Sequence, residues 1–242
     1  QWNIANYDDA EDSTAVIIDG WITGAAYYLK IYTPYKESEV GVSQRHRGIW
    51  GDGYKRTSHM TISDNYIRLD GLATRHSATF WTNNTYFIYN STGAGEIYIS
   101  NCYGENISQG SNNVGIYSVY SVGDFDIKIW NSIGIADTDY GTAGPFYFDD
   151  GSATYDVYNC TCINRGKASS FTRRNGLGTI TNSLAYSDGL AFYGTWSSVN
   201  NCASNDDSAD DRGGYGNKIN QKVKFIDEYN NNFHLDPSDT VA

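Results

Sequence analysis

Ile127-Lys128-Ile129-Trp130-Asn131-Ser132 is the stretch whose reading decides the fold. Apolar and polar residues alternate up to Trp130, which marks a strand with one buried face. Asn131 then ends the alternation, and asparagine is the non-glycine residue that best tolerates a left-handed backbone and so can bend a strand sharply. The same phrase recurs as Ile97-Tyr98-Ile99-Ser100-Asn101-Cys102, Tyr155-Asp156-Val157-Tyr158-Asn159-Cys160, Thr179-Ile180-Thr181-Asn182-Ser183 and Ser198-Val199-Asn200-Asn201-Cys202. Two earlier phrases fit if glycine takes the asparagine place: Val16-Ile17-Ile18-Asp19-Gly20 and Ile67-Arg68-Leu69-Asp70-Gly71. Glycine and asparagine share little except access to positive φ, so the repeated object is a backbone shape.

The hinge column reads Gly20, Gly71, Asn101, Asn131, Asn159, Asn182, Asn201, with spacings of 51, 30, 30, 28, 23 and 19 residues. Strand–bend–strand units at such spacings predict a solenoid. Ile, Val, Tyr and Thr at period two exclude a helical one, and the leucine spacing of leucine-rich repeats is missing. The expected fold is all-β: a single parallel β-helix domain over residues 1–242, each coil paired to the next at about 4.8 Å. Residues 1–15 are expected to cap the first coil, 35–58 to form an inserted loop that explains the long first spacing, and 205–242 to form an acidic loop and a C-terminal cap. Small residues after each hinge (Cys102 and Gly104, Ser132 and Gly134, Cys160 and Cys162) predict one thin flank of the core, filled from the other sides by Ile and Phe.

Strand–Asn–Cys/Ser phrases of this kind resemble the right-handed parallel β-helix proteins of the pectin-lyase-like class. The N-terminal phrases Asp19-Gly20-Trp21, Ile31-Tyr32-Thr33-Pro34, Arg45-His46-Arg47-Gly48-Ile49-Trp50 and Tyr66-Ile67-Arg68-Leu69-Asp70-Gly71-Leu72 resemble uncharacterised β-helix surface proteins of phages and environmental bacteria. The Phe225-Ile226-Asp227 and Phe233-His234-Leu235 phrases resemble the segment with which many such proteins close over their last coil. The resemblance implies a right-handed coil and a virion or extracellular setting. It implies no particular activity.

The formal net charge of −11 argues against nucleic acid, whose phosphates need a basic surface. No apolar run reaches the roughly 20 residues of a membrane span. The chain opens on Gln1 with no secretory signal, and reads as a processed form or a piece of a longer protein. The four cysteines read as buried free thiols, because Cys102, Cys160 and Cys202 share a column two coils apart, too far to bridge.

Candidate chemistry is sparse. Asp149 and Asp150 follow one strand, and Arg173 and Arg174 follow the next, with Lys167 and Asp188 nearby in sequence. Stacking would bring acids and arginines together, either as a lyase or hydrolase site or as an inter-coil ion pair. Arg45, His46, Arg47 and Trp50 invite an active-site reading, with His as acid or base and Arg holding an anion, but read better as a loop docked through Trp50 with its arginines on carboxylates. Asp206, Asp207, Asp210 and Asp211 form a weak calcium candidate without the spacing of a calcium loop. No cofactor is expected. The functional expectation is a non-enzymatic structural or surface protein of a virion or extracellular filament. It would self-associate or meet other surface proteins through coil ends, loops and Tyr-rich faces. The alternatives are a polysaccharide lyase or glycoside hydrolase, and a glycan-binding adhesin.

Overall fold

The computed structural model describes residues 1–77, 85–89, 93–107, 116–120, 123–139, 144–149, 151–230 and 232–240. Three parallel sheets run the length of a β-helix. The first sheet holds, in order, Trp2–Ala5, Leu29–Tyr32, Ile67–Asp70, Ala94–Ser100, Asp124–Trp130, Thr154–Tyr158, Leu177–Thr181 and Ser198–Asn200. The second holds Ala73–His76, Tyr103–Asn106, Ile133–Ala136, Thr161–Asn164, Leu184–Ser187 and Ala203–Ser204. The third holds Val16–Ile18, Met60–Ile62, Tyr86–Ile88, Tyr117–Val119, Phe146–Phe148, Phe171–Arg173 and Phe192–Gly194. A full coil visits the three sheets in that order. The sheets keep strict register, for example Ile97 against Ile127 and Ile127 against Tyr155.

The corner between the first and second sheets is the hinge. Asn101, Asn131, Asn159, Asn182 and Asn201 sit there with φ between 49° and 53°, and Gly71 with φ 82°. Each hinge N–H continues the ladder across the bend, as from Asn101 to the Trp130 carbonyl at 3.0 Å and from Asn131 to Tyr158 at 3.2 Å. Side chains reinforce it, Asn131 Nδ2 donating to Asn101 Oδ1 at 3.3 Å and Asn101 Nδ2 to Asp70 Oδ1 at 2.8 Å. The residue after each Asn hinge alternates Cys and Ser for a physical reason. Ser132 Oγ accepts the Cys102 N–H, and Ser183 Oγ the Cys160 N–H, both at 3.1 Å. Gly71 has no Cβ because Arg45 lies over it, with Nε 2.2 Å from where that atom would stand.

Gly20 is the exception to the expected column. Its φ is positive, 83°, but it follows Val16–Ile18, a strand of the third sheet. It therefore turns the corner between third and first sheets. At the hinge corner of its coil's successor stands Thr33, whose N–H reaches the Asp70 carbonyl at 2.9 Å. The 51-residue spacing is thus measured between two different corners. Substitution at a true hinge has a graded expectation. Asn131→Gly is tolerated to within about 1 kcal/mol, whereas Asn131→Ala loses roughly 1–2 kcal/mol in denaturant unfolding, because an alanine must hold the left-handed conformation. Equal losses for the two variants would show that the side-chain ladder, not φ, sets the cost.

The core has one thick and one thin wall. The third sheet sends inward an aromatic file, Tyr86, Tyr117, Phe146, Phe171 and Phe192, with successive ring centroids 5.2, 4.6, 4.7 and 5.3 Å apart. Opposite, the second sheet offers Gly104, Gly134, Cys162 and Ala185 in one column. A Cβ on Gly134 would come within 2.8 Å of the Phe146 ring, and one on Gly104 would meet Ile116 Cγ2 at 2.0 Å, so side chains from across the core have taken the space. The buried phenols are satisfied by carbonyls, Tyr117 donating to Ile133 at 2.9 Å. Leu29, Ile67, Ile97, Ile127, Val157, Ile180 and Val199 complete the interior from the first sheet. All four cysteines are buried and free, and burial pushes Cys102 and Cys160 up to about 12.

Residues 1–15 supply a coil rather than a lid: Trp2–Ala5 pairs with Leu29–Tyr32, and Asp12 bridges Arg56. Trp2, Ile17 and Ile22 stay exposed there. The last coil is closed by the 205–221 segment, where Gly213 and Tyr215 carbonyls accept the Val199 and Asn201 N–H groups. The Phe225–Asp227 and Asn232–Leu235 hairpin does not cover that coil. It lies on the outer face of the second sheet, Phe233 packing with Tyr103, Ile135 and Ile163. That face is apolar in several coils and has to be screened from water along its length.

Candidate functional site

Three charged clusters meet this frame. The first contains the acids and arginines that the sequence singles out. Asp149 and Arg174 leave equivalent third-sheet strands one coil apart, their N–H groups bonding Val119 and Phe148 carbonyls. Their side chains pair at 3.1 Å. Asp149 also accepts from Tyr147 Oη at 3.0 Å and Asn175 Nδ2 at 2.6 Å, which makes three donors on one carboxylate. Asp150 lies outside the described residues. Arg173 turns the other way: it occupies the inward column after Ile88, Val119 and Phe148, is 7% exposed, and donates to the Gly176 carbonyl. Lys167 and Asp188 are not part of this group. They precede the third-sheet strands, whereas Asp149 and Arg174 follow them. The expected cluster is therefore split between the two ends of one sheet.

The second cluster is the inserted loop on the hinge corner. Arg45 pairs with Asp70 at 2.8 Å and Arg47 with Asp52 at 2.6 Å. Lys30 joins Asp70 at 3.1 Å. Burial would raise the Asp70 carboxyl, but the Asn101 hydrogen bond, Arg45 and Lys30 outweigh it and hold it below the usual range. His46 Nε2–H donates to the Asn101 carbonyl at 2.8 Å and Nδ1 accepts the Gly48 N–H at 3.0 Å. Both ring nitrogens are committed, and neither is open to act as a base. Burial, opposed by the Asn101 bond and aided by Arg45, lowers the His46 pKa to about 4.

This has a pH consequence. The unfolded chain takes up a proton near 6.5 that folded His46 refuses until about 4. The stability it contributes is complete above pH 6.5 and is lost as pH falls toward 4, by roughly 3 kcal/mol at most. Unfolding free energies measured from pH 7 to 4 should fall less steeply in His46→Gln than in the parent. Parallel curves would remove His46 from the acid response.

The third cluster has no signal in the linear sequence. Glu105, 1% exposed, sits on the outward side of the second sheet between Arg75 (2.7 Å) and Arg165 (3.8 Å), with Tyr103 Oη donating at 2.9 Å. Arg75 in turn lies 4.6 Å over Trp50. His234 Nε2–H donates to the Arg47 carbonyl at 2.6 Å, joining the tail hairpin to the loop. Only knowing that Arg75 and Glu105 share a register position would have exposed this node.

The outward face of the first sheet is also paired within itself. Arg68 stacks on Tyr28 at 3.6 Å and faces Tyr98 at 5.1 Å. Trp130 and Tyr158 stack at 5.7 Å with planes 2° apart. Lys128 meets Asp126 at 3.1 Å, and Thr179 donates to Asp156 at 2.7 Å. Asp206 accepts from Ala191 N–H and Ser208, while Asp210 opens a short 3-10 turn. No group of three potential metal ligands converges among the described residues, Asp206, Asp207, Asp210 and Asp211 included.

The fold and these clusters define a class, a parallel β-helix solenoid with a clasped flank. Comparison with protein-family models, curated proteins and solved structures finds no match for the chain.

Proposed function

We propose that this β-helix is a non-enzymatic structural or surface protein, set in a virion or an extracellular filament and held there by self-association or by other surface proteins. The observation that carries the reading is the saturation of its buried and half-buried carboxylates Asp149, Asp70 and Glu105. Asp149 is held by three donors, Asp70 by Arg45, Lys30 and Asn101, and Glu105 by Arg75 and Tyr103. A general acid or base needs a proton site that substrate can reach, and ion pairs locked between coils stiffen a rod instead. The phage-like N-terminal phrases supply the setting. A screen of neutral and acidic polysaccharides should give neither unsaturated products nor new reducing ends. Turnover abolished by Asp149→Asn would overturn the reading in favour of the lyase or hydrolase alternative. Immunogold electron microscopy of the native source should label particles or filaments.

A second reading, glycan binding without turnover, has one observation in its favour. Tyr28, Arg68, Tyr98 and Trp130 line a groove of about 280 Å³ on the first sheet. Aromatic and guanidinium groups side by side can hold a sugar ring. Retention on a glycan array that Trp130→Ala removes would support it.

A further inference from the structure

We infer that the corner where the third sheet passes to the first, beside Arg173, Arg174 and Arg212, is a binding site for a tetrahedral dianion, a phosphate or sulfate group. A pocket of about 370 Å³ opens there, lined by these three arginines with Tyr193, Gly194 and Thr195. The site goes beyond the structural reading and does not depend on it.

The first support is electrostatic. Three arginines line one small pocket in a chain whose formal charge is −11. Among the described residues, Asp149 is the one carboxylate that pairs with any of them, through Arg174. About two positive charges are left, which a dianion matches and a single carboxylate does not. Arg212 is held toward the pocket by its Nε–H bond to the Phe192 carbonyl at 3.3 Å. Guanidinium forks suit phosphate and sulfate oxygens, to which they can donate in pairs.

The second support is independent of charge counting. Arg173 stands in a file otherwise made of Ile18, Ile62, Ile88, Val119 and Phe148, where an apolar side chain would serve the core better. It is 7% exposed, and among the described residues its Nε has no hydrogen-bond partner. A buried guanidinium nitrogen left without an acceptor carries a desolvation cost of a few kcal/mol. Turned toward the pocket, that nitrogen would find in an oxyanion the acceptor it lacks.

Isothermal titration at constant ionic strength tests the site with sodium phosphate, sodium sulfate, sodium acetate and sodium chloride. Phosphate and sulfate should each bind at one equivalent per chain, and acetate and chloride should give no saturable heat. Whichever of phosphate and sulfate binds tighter names the source of the group. Arg174→Gln and Arg212→Gln, both at the surface, should each weaken binding about tenfold, or about 1.4 kcal/mol. Arg173→Met restores the apolar file, so it should keep or raise the melting temperature in chloride and lose the anion response. Should that variant fail to fold, the two glutamine variants decide. Acetate binding as tightly as sulfate, unchanged affinity in the variants, or no heat with either dianion would each overturn the inference.

Discussion

Phe146→Ala should lower the unfolding free energy by about 3–5 kcal/mol, the cost of emptying a large aromatic site in a rigid core. Phe146 is fully buried at the centre of the aromatic file, with ring centroids 4.6 Å from Tyr117 and 4.7 Å from Phe171. Across from it is Gly134, whose missing Cβ would come within 2.8 Å of the Phe146 ring. A glycine cannot move a side chain into the gap, so the cavity persists. Because coils in a solenoid lean mainly on their neighbours, hydrogen exchange should rise most in the strands Tyr117–Val119 and Phe171–Arg173, and less in Val16–Ile18. Phe146→Leu should recover most of the loss. A Phe146→Ala loss below about 1 kcal/mol would mean the file does not act as one packed wall.

Glu105→Ala should cost about 3 kcal/mol, through a different mechanism. Removing one member of a buried ion pair leaves its partner's charge uncompensated. Here the abandoned groups are Arg75, whose side chain is 27% exposed and can partly rehydrate, and the Tyr103 hydroxyl. That partial rehydration sets the value at the low end for a buried pair. Arg75 also holds Trp50, so the substitution should loosen the inserted loop. Limited proteolysis should then cut within residues 35–58 faster than in the parent. Glu105→Gln keeps an acceptor for Tyr103 and should cost less. If both variants matched the parent in unfolding and in cleavage, the node would be a surface ion pair of no energetic weight.

These two sites differ in how far a linear reading reaches them. Part of the aromatic file was legible: Phe146, Phe171 and Phe192 stand out as large residues opposite a column of small ones, whereas Tyr86 and Tyr117 do not. The hinge was legible at six of seven positions, because Asn with positive φ is a local requirement repeated at short spacing. Gly20 misled because a third-sheet strand followed by glycine has the same local pattern as a first-sheet strand at its hinge. The Asp149–Arg174 pair was legible from stacking, but the inward turn of Arg173 was not, since an arginine in a strand is read as outward-facing. Glu105 carried no pattern at all.

From its order of residues alone, this protein's solenoid class, its thin and thick core walls and its free buried thiols follow, because period, φ preference and side-chain size act within one coil. The clasp of the tail hairpin over the second sheet, the locking of His46 and Glu105, and the gathering of Arg212 with Arg173 were decided only by the tertiary structure. Each joins residues far apart along the chain, and such contacts depend on which coils become neighbours rather than on any local preference.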